Sequence, residues 1–177
     1  MKIGANGWLS GVRRIASPNC DTRPPGTKTD LLVIHNISLP PGQFGGETIV
    51  RLFTNTLDVE AHPYYSQLRG LRVSAHFLIR RDGEIIQFVS CGKRAWHAGA
   101  SLWQGRSSCN DFSIGIELEG SDDVPFDNQQ YAALVRLTRL LQRTYPIRTI
   151  VGHADIAPGR KTDPGPCFDR TRYISAL

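Results

Sequence analysis

The stretch Phe112-Ser113-Ile114-Gly115-Ile116-Glu117-Leu118-Glu119 alternates strictly. In an extended chain successive side chains leave on opposite faces. Phe112, Ile114, Ile116 and Leu118 therefore share an apolar face, and Ser113, Gly115, Glu117 and Glu119 share the other. Upstream, residues 72–79 repeat the pattern, with Val73, Ala75, Phe77 and Ile79 opposite Arg72, Ser74 and His76. Asp82-Gly83 then predicts a tight hairpin turn, and residues 84–89 the returning strand. Further back, Leu31-Leu32-Val33-Ile34 is a short continuous apolar run, as a central strand buried on both faces requires. It delivers His35 and Asn36 at its end, before Pro40-Pro41-Gly42 breaks the chain and residues 47–55 read as a short helix.

Downstream, Asp127 is placed to cap a helix, with Gln130 as its capping-box partner. Tyr131, Leu134, Val135, Leu137, Thr138 and Leu141 form the helical stripe, and Pro146 ends it. Thr149-Ile150-Val151 is a last short strand, leading through Gly152 to His153 and a Pro/Gly-rich loop. The expectation is a single domain of the mixed α/β or α+β class over residues 1–177. It has a central mixed β-sheet of four to six strands flanked by helices, with its core at about 28–168 and a loop-rich N-terminal arm over 1–27.

Bulk properties narrow the function. The chain has 177 residues, 40% hydrophobic and 21% charged, which is an ordinary globular composition. No apolar run approaches the roughly 18 residues of a membrane span. Met1-Lys2-Ile3-Gly4-Ala5-Asn6-Gly7-Trp8 lacks the apolar stretch of a secretory signal, so a cytoplasmic protein is expected. Cys20, Cys91, Cys109 and Cys167 are widely spread, without the close pair of a zinc finger or redox motif, and are read as free thiols. The net charge of +5 could serve nucleic acid, a membrane surface or an anionic small substrate. With no basic run and no aromatic-basic interleaving, nucleic acid is not an expected partner.

His35 and His153 each follow a short buried strand, and open α/β sheets bind ligands where such strands end. Two histidines at one rim can share a metal if a third ligand is near. Asp163 is a candidate because it precedes a proline and is held extended. Lys161 lies two residues earlier, on the same side of an extended segment, where an ammonium can face a developing oxyanion. Two histidines, an aspartate and a water compose a catalytic zinc site. Glu117, on a strand face whose neighbours Ser113 and Gly115 are small enough to admit a substrate, is the candidate proton carrier.

These residues and the segments around them carry a resemblance. Val33-Ile34-His35-Asn36-Ile37-Ser38-Leu39-Pro40-Pro41-Gly42, Phe44-Gly45-Gly46, Arg72-Val73-Ser74-Ala75-His76 and Arg94-Ala95-Trp96-His97-Ala98-Gly99 belong to it. So do Cys109 to Gly120 and Lys161-Thr162-Asp163-Pro164-Gly165-Pro166. The chain resembles the cytoplasmic 1,6-anhydro-N-acetylmuramyl-L-alanine amidases of cell-wall recycling (the AmpD type), from Gly7 to about Phe168. These fall within the zinc amidase class that also holds T7-type phage lysozyme and peptidoglycan recognition proteins. The resemblance implies Zn²⁺ on His35, His153 and Asp163, with Glu117 and Lys161 as the catalytic pair. It implies hydrolysis of the bond between the lactyl group of the muramyl sugar and L-alanine in a soluble muropeptide. It also implies groove positions at Asn36, Arg72, Trp96 and Arg106, and a monomer that needs neither nucleic acid nor membrane. No metal or catalytic position departs from the family pattern.

Other readings compete. Glu117 and Glu119, about 7 Å apart on one strand face, could serve as a glycosidase pair that needs no metal. His153-Ala154-Asp155 suggests an iron facial triad, but no later histidine completes it. A non-catalytic muropeptide-binding module is the third, although such modules lose metal ligands. His62 reads as a loop or helix-end residue, His76 as structural, His97 as either groove lining or structural, and Asp155 as a loop cap rather than support for a metal ligand.

Overall fold

Leu31, Leu32, Val33 and Ile34 are each at most 1% exposed, so this run is covered on both faces as its continuous apolarity demands. The computed structural model describes all 177 residues. In chain order its elements are β1 (Arg13–Arg14), β2 (Cys20–Thr22), β3 (Leu31–Ile37), α1 (Thr48–Phe53) and a 3-10 turn over Pro63–Leu68. There follow β4 (Phe77–Ile79), β5 (Ile85–Gln87), β6 (Lys93–Ala95), β7 (Leu102–Trp103), β8 (Arg106–Ser107) and a 3-10 turn over Cys109–Asp111. The rest are β9 (Ser113–Glu119), α2 (Asn128–Thr144), β10 (Thr149–Gly152), α3 (His153–Ile156) and α4 (Arg170–Ser175).

Six strands form one mixed sheet in the order β1-β5-β4-β9-β3-β10. The four strands β4, β9, β3 and β10 run parallel, and β5 returns antiparallel to β4 through the Arg80–Gly83 turn. Gly83 has φ +84°, and a Cβ there would meet the Gln129 carbonyl at 2.9 Å, so this turn needs glycine. One face of the sheet presents Leu32, Ile34, Ile114, Ile116 and Leu118 to Leu134, Leu137 and Leu141 of α2 and to Tyr173 of α4. The other face packs Leu78 and Ile86 against Ile49, Leu52 and Phe53 of α1. The expected class, sheet and helices are those observed.

Gln130 is fully buried and ties α2 to the sheet. Its Oε1 accepts the Asp127 N–H at 3.1 Å, and its Nε2 donates to the Glu119 carbonyl at 2.9 Å. The helix ends at Thr144, two residues before Pro146.

Three local expectations are corrected. The strand predicted over 72–79 is regular only at Phe77–Ile79. Ahead of it, side chains compete for the backbone: Asn19 Nδ2 donates to the Val73 carbonyl, and Ser74 Oγ donates to the Asn19 carbonyl. Phe112 does not share the face of Ile114, because it closes the 3-10 turn and packs with Leu31, Val33 and Val151 instead. The N-terminal arm is also less peripheral than its composition suggests. β1 is an edge strand of the main sheet, and the Arg23 guanidinium donates to the carbonyls of Asn110, Asp111 and Ser113. All four cysteines are unpaired. No helix is long and apolar enough to cross a membrane.

Candidate metal centre and catalytic cleft

The register of three neighbouring parallel strands assembles the site. His35 of β3 lies opposite Glu117 of β9, and Ile34 lies opposite Gly152 of β10, so the next residue, His153, falls level with His35. Glu117, His35 and His153 thus stand in a row across the sheet. The chain turns into α3 at His153, and the following loop returns Asp163 to the same place, where the Ala154 N–H donates to the Asp163 carbonyl at 2.9 Å. Both faces of a strand alternate with period two, so one residue of slippage would remove a member from the row.

Three ligand atoms converge there. His35 Nδ1 lies 3.0 Å from His153 Nδ1 and 3.0 Å from Asp163 Oδ2, and His153 Nδ1 lies 3.1 Å from the same Oδ2. The two histidines are buried and Asp163 is nearly so. His153 Nε2 lies 3.1 Å from the Ala98 carbonyl, which has no proton to give. The ring must therefore donate through Nε2, and in the neutral tautomer with its proton there Nδ1 is a bare lone pair. Burial lowers the pKa of His35 to about 4, against the pull of Asp163, so its ring is neutral at physiological pH. Burial alone would raise the pKa of Asp163, but the His153 and His35 rings against its Oδ2 outweigh it and hold the carboxyl well below the usual range. Neutral imidazole nitrogens and a carboxylate oxygen meeting at this spacing form a donor set suited to a divalent cation such as zinc.

Glu117 lines the same cleft and is buried; one of its carboxylate oxygens, Oε2, has no hydrogen-bond partner. Burial, then the charge of Asp163, pushes its pKa well above the usual carboxylate range, with Lys161 opposing. A carboxyl poised upward in this way suits proton transfer near neutral pH. Glu119 is different. Its Oε1 accepts from Arg80 Nη1 at 3.2 Å and from the Gly45 N–H at 2.7 Å, and its Oε2 accepts from the Arg81 N–H at 3.2 Å. It does not line the cleft, so the two glutamates do not form a facing pair.

The cleft has a volume of about 590 Å³. Lys161, Arg160, Asp122 and Asn36 supply its polar wall, and Tyr64, Leu68 and Leu71 an apolar one. A hollow of about 650 Å³ between α2 and α4 is lined by no histidine, cysteine or carboxylate, so its size alone does not make it a reaction centre.

Asn36 is the one substrate-groove candidate on the cleft wall, and its Nδ2 donates to Asp122 Oδ1 at 2.7 Å and to the Pro164 carbonyl at 3.0 Å. The other three stand off it. Arg72 is exposed between the lining residues Leu71 and Val73, and Trp96 is fixed through its backbone to Ser74. Arg106 pairs with Asp30 at 3.0 Å and lies over the Phe112 ring, within a separate hollow. His62 caps the 3-10 turn by accepting the Tyr64 N–H, as a helix-end residue does. His76 is wholly buried and accepts the Gly115 N–H, a structural role. Asp155 takes the Gly152 N–H and pairs with Arg170, so it caps α3 and stands outside the ligand trio.

Sequence reasoning missed Arg160 and Asp122, and it misjudged the space at Gly115. A Cβ there would lie 2.5 Å from His97 Cγ, so the room beside Glu117 is filled by the His97 ring rather than left for substrate. The signal was present in Trp96-His97-Ala98, but only the fold brings that loop under β9.

Comparison with known proteins agrees with this geometry. The sequence profile of the family described as N-acetylmuramoyl-L-alanine amidase matches residues 25–166. The 1,6-anhydro-N-acetylmuramyl-L-alanine amidase AmpD of Escherichia coli (strain K12) is 58% identical over 169 residues, covering 94% of this chain and 92% of that protein. A crystal structure of a Se-Met AmpD derivative superposes with a TM-score of 0.97 at 55% identity, covering 100% of this chain and 99% of that one. The amidase AmiD from E. coli, solved with the substrate anhydro-N-acetylmuramic acid-L-Ala-D-gamma-Glu-L-Lys, gives a TM-score of 0.62 at 31% identity, covering 87% of this chain and 60% of that one.

Proposed function

The chain belongs to the N-acetylmuramoyl-L-alanine amidase family, and from that premise we propose that it hydrolyses the amide between the lactyl group of 1,6-anhydro-N-acetylmuramic acid and L-alanine, using zinc held by His35, His153 and Asp163. The convergence of three ligand atoms within 4.8 Å, beside a buried carboxyl, carries the reading. When bound, zinc supplies a Lewis acid for the scissile carbonyl and lowers the pKa of a water to about 7.

The chain's own residues do the rest. Glu117, as carboxylate, takes a proton from the attacking water as the C–O bond forms. It returns that proton to the nitrogen of L-alanine as the C–N bond breaks, so the products are a lactyl carboxylic acid and a free peptide amine. Lys161, on the cleft wall, places its ammonium toward the oxyanion. Asn36, whose Nδ2 is engaged by Asp122 and Pro164, offers its side-chain oxygen to the substrate. Arg72, Trp96 and Arg106 enter the proposal from the family resemblance alone, as outer contacts to the stem peptide and sugar. Cleavage of a soluble fragment is consistent with a monomer working in the cytoplasm on recycled cell-wall material.

The test joins metal analysis of the purified protein to mass spectrometry of a digested anhydromuropeptide. One zinc per chain and free peptide beginning at L-alanine are expected, with both lost in His153→Ala. Full zinc and full activity in that variant would overturn the assignment, and new sugar reducing ends would point to glycoside cleavage.

A further inference from the structure

His97 and Ala98 are adjacent in sequence, yet each meets a different metal-binding histidine. Ala98 offers its carbonyl to His153 Nε2 at 3.1 Å, and His97 offers Nδ1 to His35 Nε2 at 2.9 Å. The direction of the second hydrogen bond follows from a chain of constraints behind it. The Cys109 carbonyl can only accept, so Ser113 Oγ, 2.6 Å away, must donate its single proton there. Ser113 Oγ is 3.1 Å from His97 Nε2 and can then only accept, so His97 carries its proton on Nε2. His97 Nδ1 is left as an acceptor and takes the proton on His35 Nε2. That leaves His35 Nδ1 bare, facing His153 Nδ1 and Asp163.

The His97-Ala98 segment is itself clamped. The N–H groups of His97 and Ala98 both donate to Asn110 Oδ1, at 3.1 and 2.8 Å. Gly115 beneath the His97 ring leaves room for it, since any Cβ would collide. His97 is buried at the floor of the cleft, and both of its ring nitrogens already have protein partners.

Resting on the zinc reading above, we propose that His97 is a positioning residue. Oriented by Ser113, it fixes His35 in the Nε2–H form and so sets zinc affinity. A neutral imidazole here does what a carboxylate or carbonyl commonly does behind a metal-bound histidine.

The decisive measurement is zinc affinity by chelator competition on the full chain, paired with the ring tautomer of His97 from long-range ¹H–¹⁵N correlation on the zinc-loaded protein. Wild type should show His97 protonated on Nε2 alone. His97→Phe keeps bulk but offers no acceptor and should bind zinc roughly 10–100-fold more weakly. His97→Gln restores an acceptor oxygen and should recover most of that loss. Wild-type affinity in His97→Phe would overturn the proposal, as would a His97→Gln no better than it or a wild-type His97 protonated on Nδ1. Should His97→Phe fail to fold, Ser113→Ala carries the test. It removes one buried hydroxyl, and a weaker affinity with a mixed His97 tautomer is expected; neither changing would overturn the proposal. A wild type that binds no zinc would defeat the metal reading itself, whereas zinc held equally by wild type and variants would defeat only the role of His97.

Discussion

Glu117 and Glu119 stand two residues apart on one face of β9, and both are buried, yet their surroundings are opposite. Glu119 is enclosed by donors: a guanidinium and two backbone N–H groups take both of its oxygens. Glu117 has one oxygen with no partner, no arginine beside it, and the anionic Asp163 nearby. A buried carboxylate with a full set of charge-assisted hydrogen bonds is a structural anchor. One left short of them is costly in its charged form and is therefore available to bind and release a proton. Sequence alternation puts the two on the same face; the neighbours that each meets decide what each can do.

The sharpest way to break this contrast is to neutralise each in turn. Glu117→Gln keeps the shape and loses the proton carrier, so kcat should fall roughly 10²–10⁴-fold with zinc content intact. Lys161→Ala should follow, with a loss of roughly 10²–10³-fold in kcat if the ammonium serves the oxyanion. Steady-state kinetics on a purified anhydromuropeptide reads both. Equal damage from Glu117→Gln and Glu119→Gln would collapse the distinction and revive a carboxylate pair.

Glu119→Gln should instead show its effect in melting. It weakens contacts that bind the β9 end to Arg80 and Gly45, and hydrogen bonds to charged groups are worth about 1.5–3 kcal/mol each. At this chain length each kcal/mol moves Tm by about 2–4 °C. A lowered Tm with kcat within a few-fold of wild type is expected from thermal denaturation and kinetics run side by side. An unchanged Tm would show that Arg80 is satisfied by Glu47 and Glu84 without it.

Why the sequence revealed one half of this contrast and hid the other follows from where each signal lies. The buried run at Leu31–Ile34, the alternation of β9 and the capped stripe of α2 are local patterns, and they gave sheet, helix and the ends of the strands. His35, His153 and Asp163 could be nominated because they sit at such ends or before a proline, and the family resemblance added the rest. The donors around Glu119 come from residues 38, 39 and 74 positions away, and no periodicity reports them. For the same reason Gly115 looked like an opening for substrate, while the ring that fills it arrives from β6's far end. The resemblance put Arg106 at the groove, and no local pattern announces its partner Asp30, 76 residues away.

The smallest expected effect reads Glu117 by pH alone, in metal-free protein. The pKa of Glu117 is raised on folding by burial, so the folded chain holds a proton that the unfolded chain has released above about pH 4.5. Stability from this group is therefore complete below that pH and is lost as pH rises toward the folded value, at no more than about 1.4 kcal/mol per pH unit. The buried histidines act in the opposite sense. His35 and His76 are depressed by burial to about 4 and about 3, and His97 is lowered as well, so their neutral burial favours folding progressively as pH climbs to about 6.5. The two trends overlap between about pH 4.5 and 6.5, and the raw Tm curve of wild type cannot apportion them. Subtracting wild type from Glu117→Gln removes the histidine part, because both proteins share it. The difference should be near zero at pH 4.5 and should grow in favour of Glu117→Gln as pH rises, levelling once Glu117 has ionised. A flat difference for Glu117→Gln between pH 4.5 and 8 would mean that Glu117 finds in solution the partners it lacks here, and the two glutamates would then be alike.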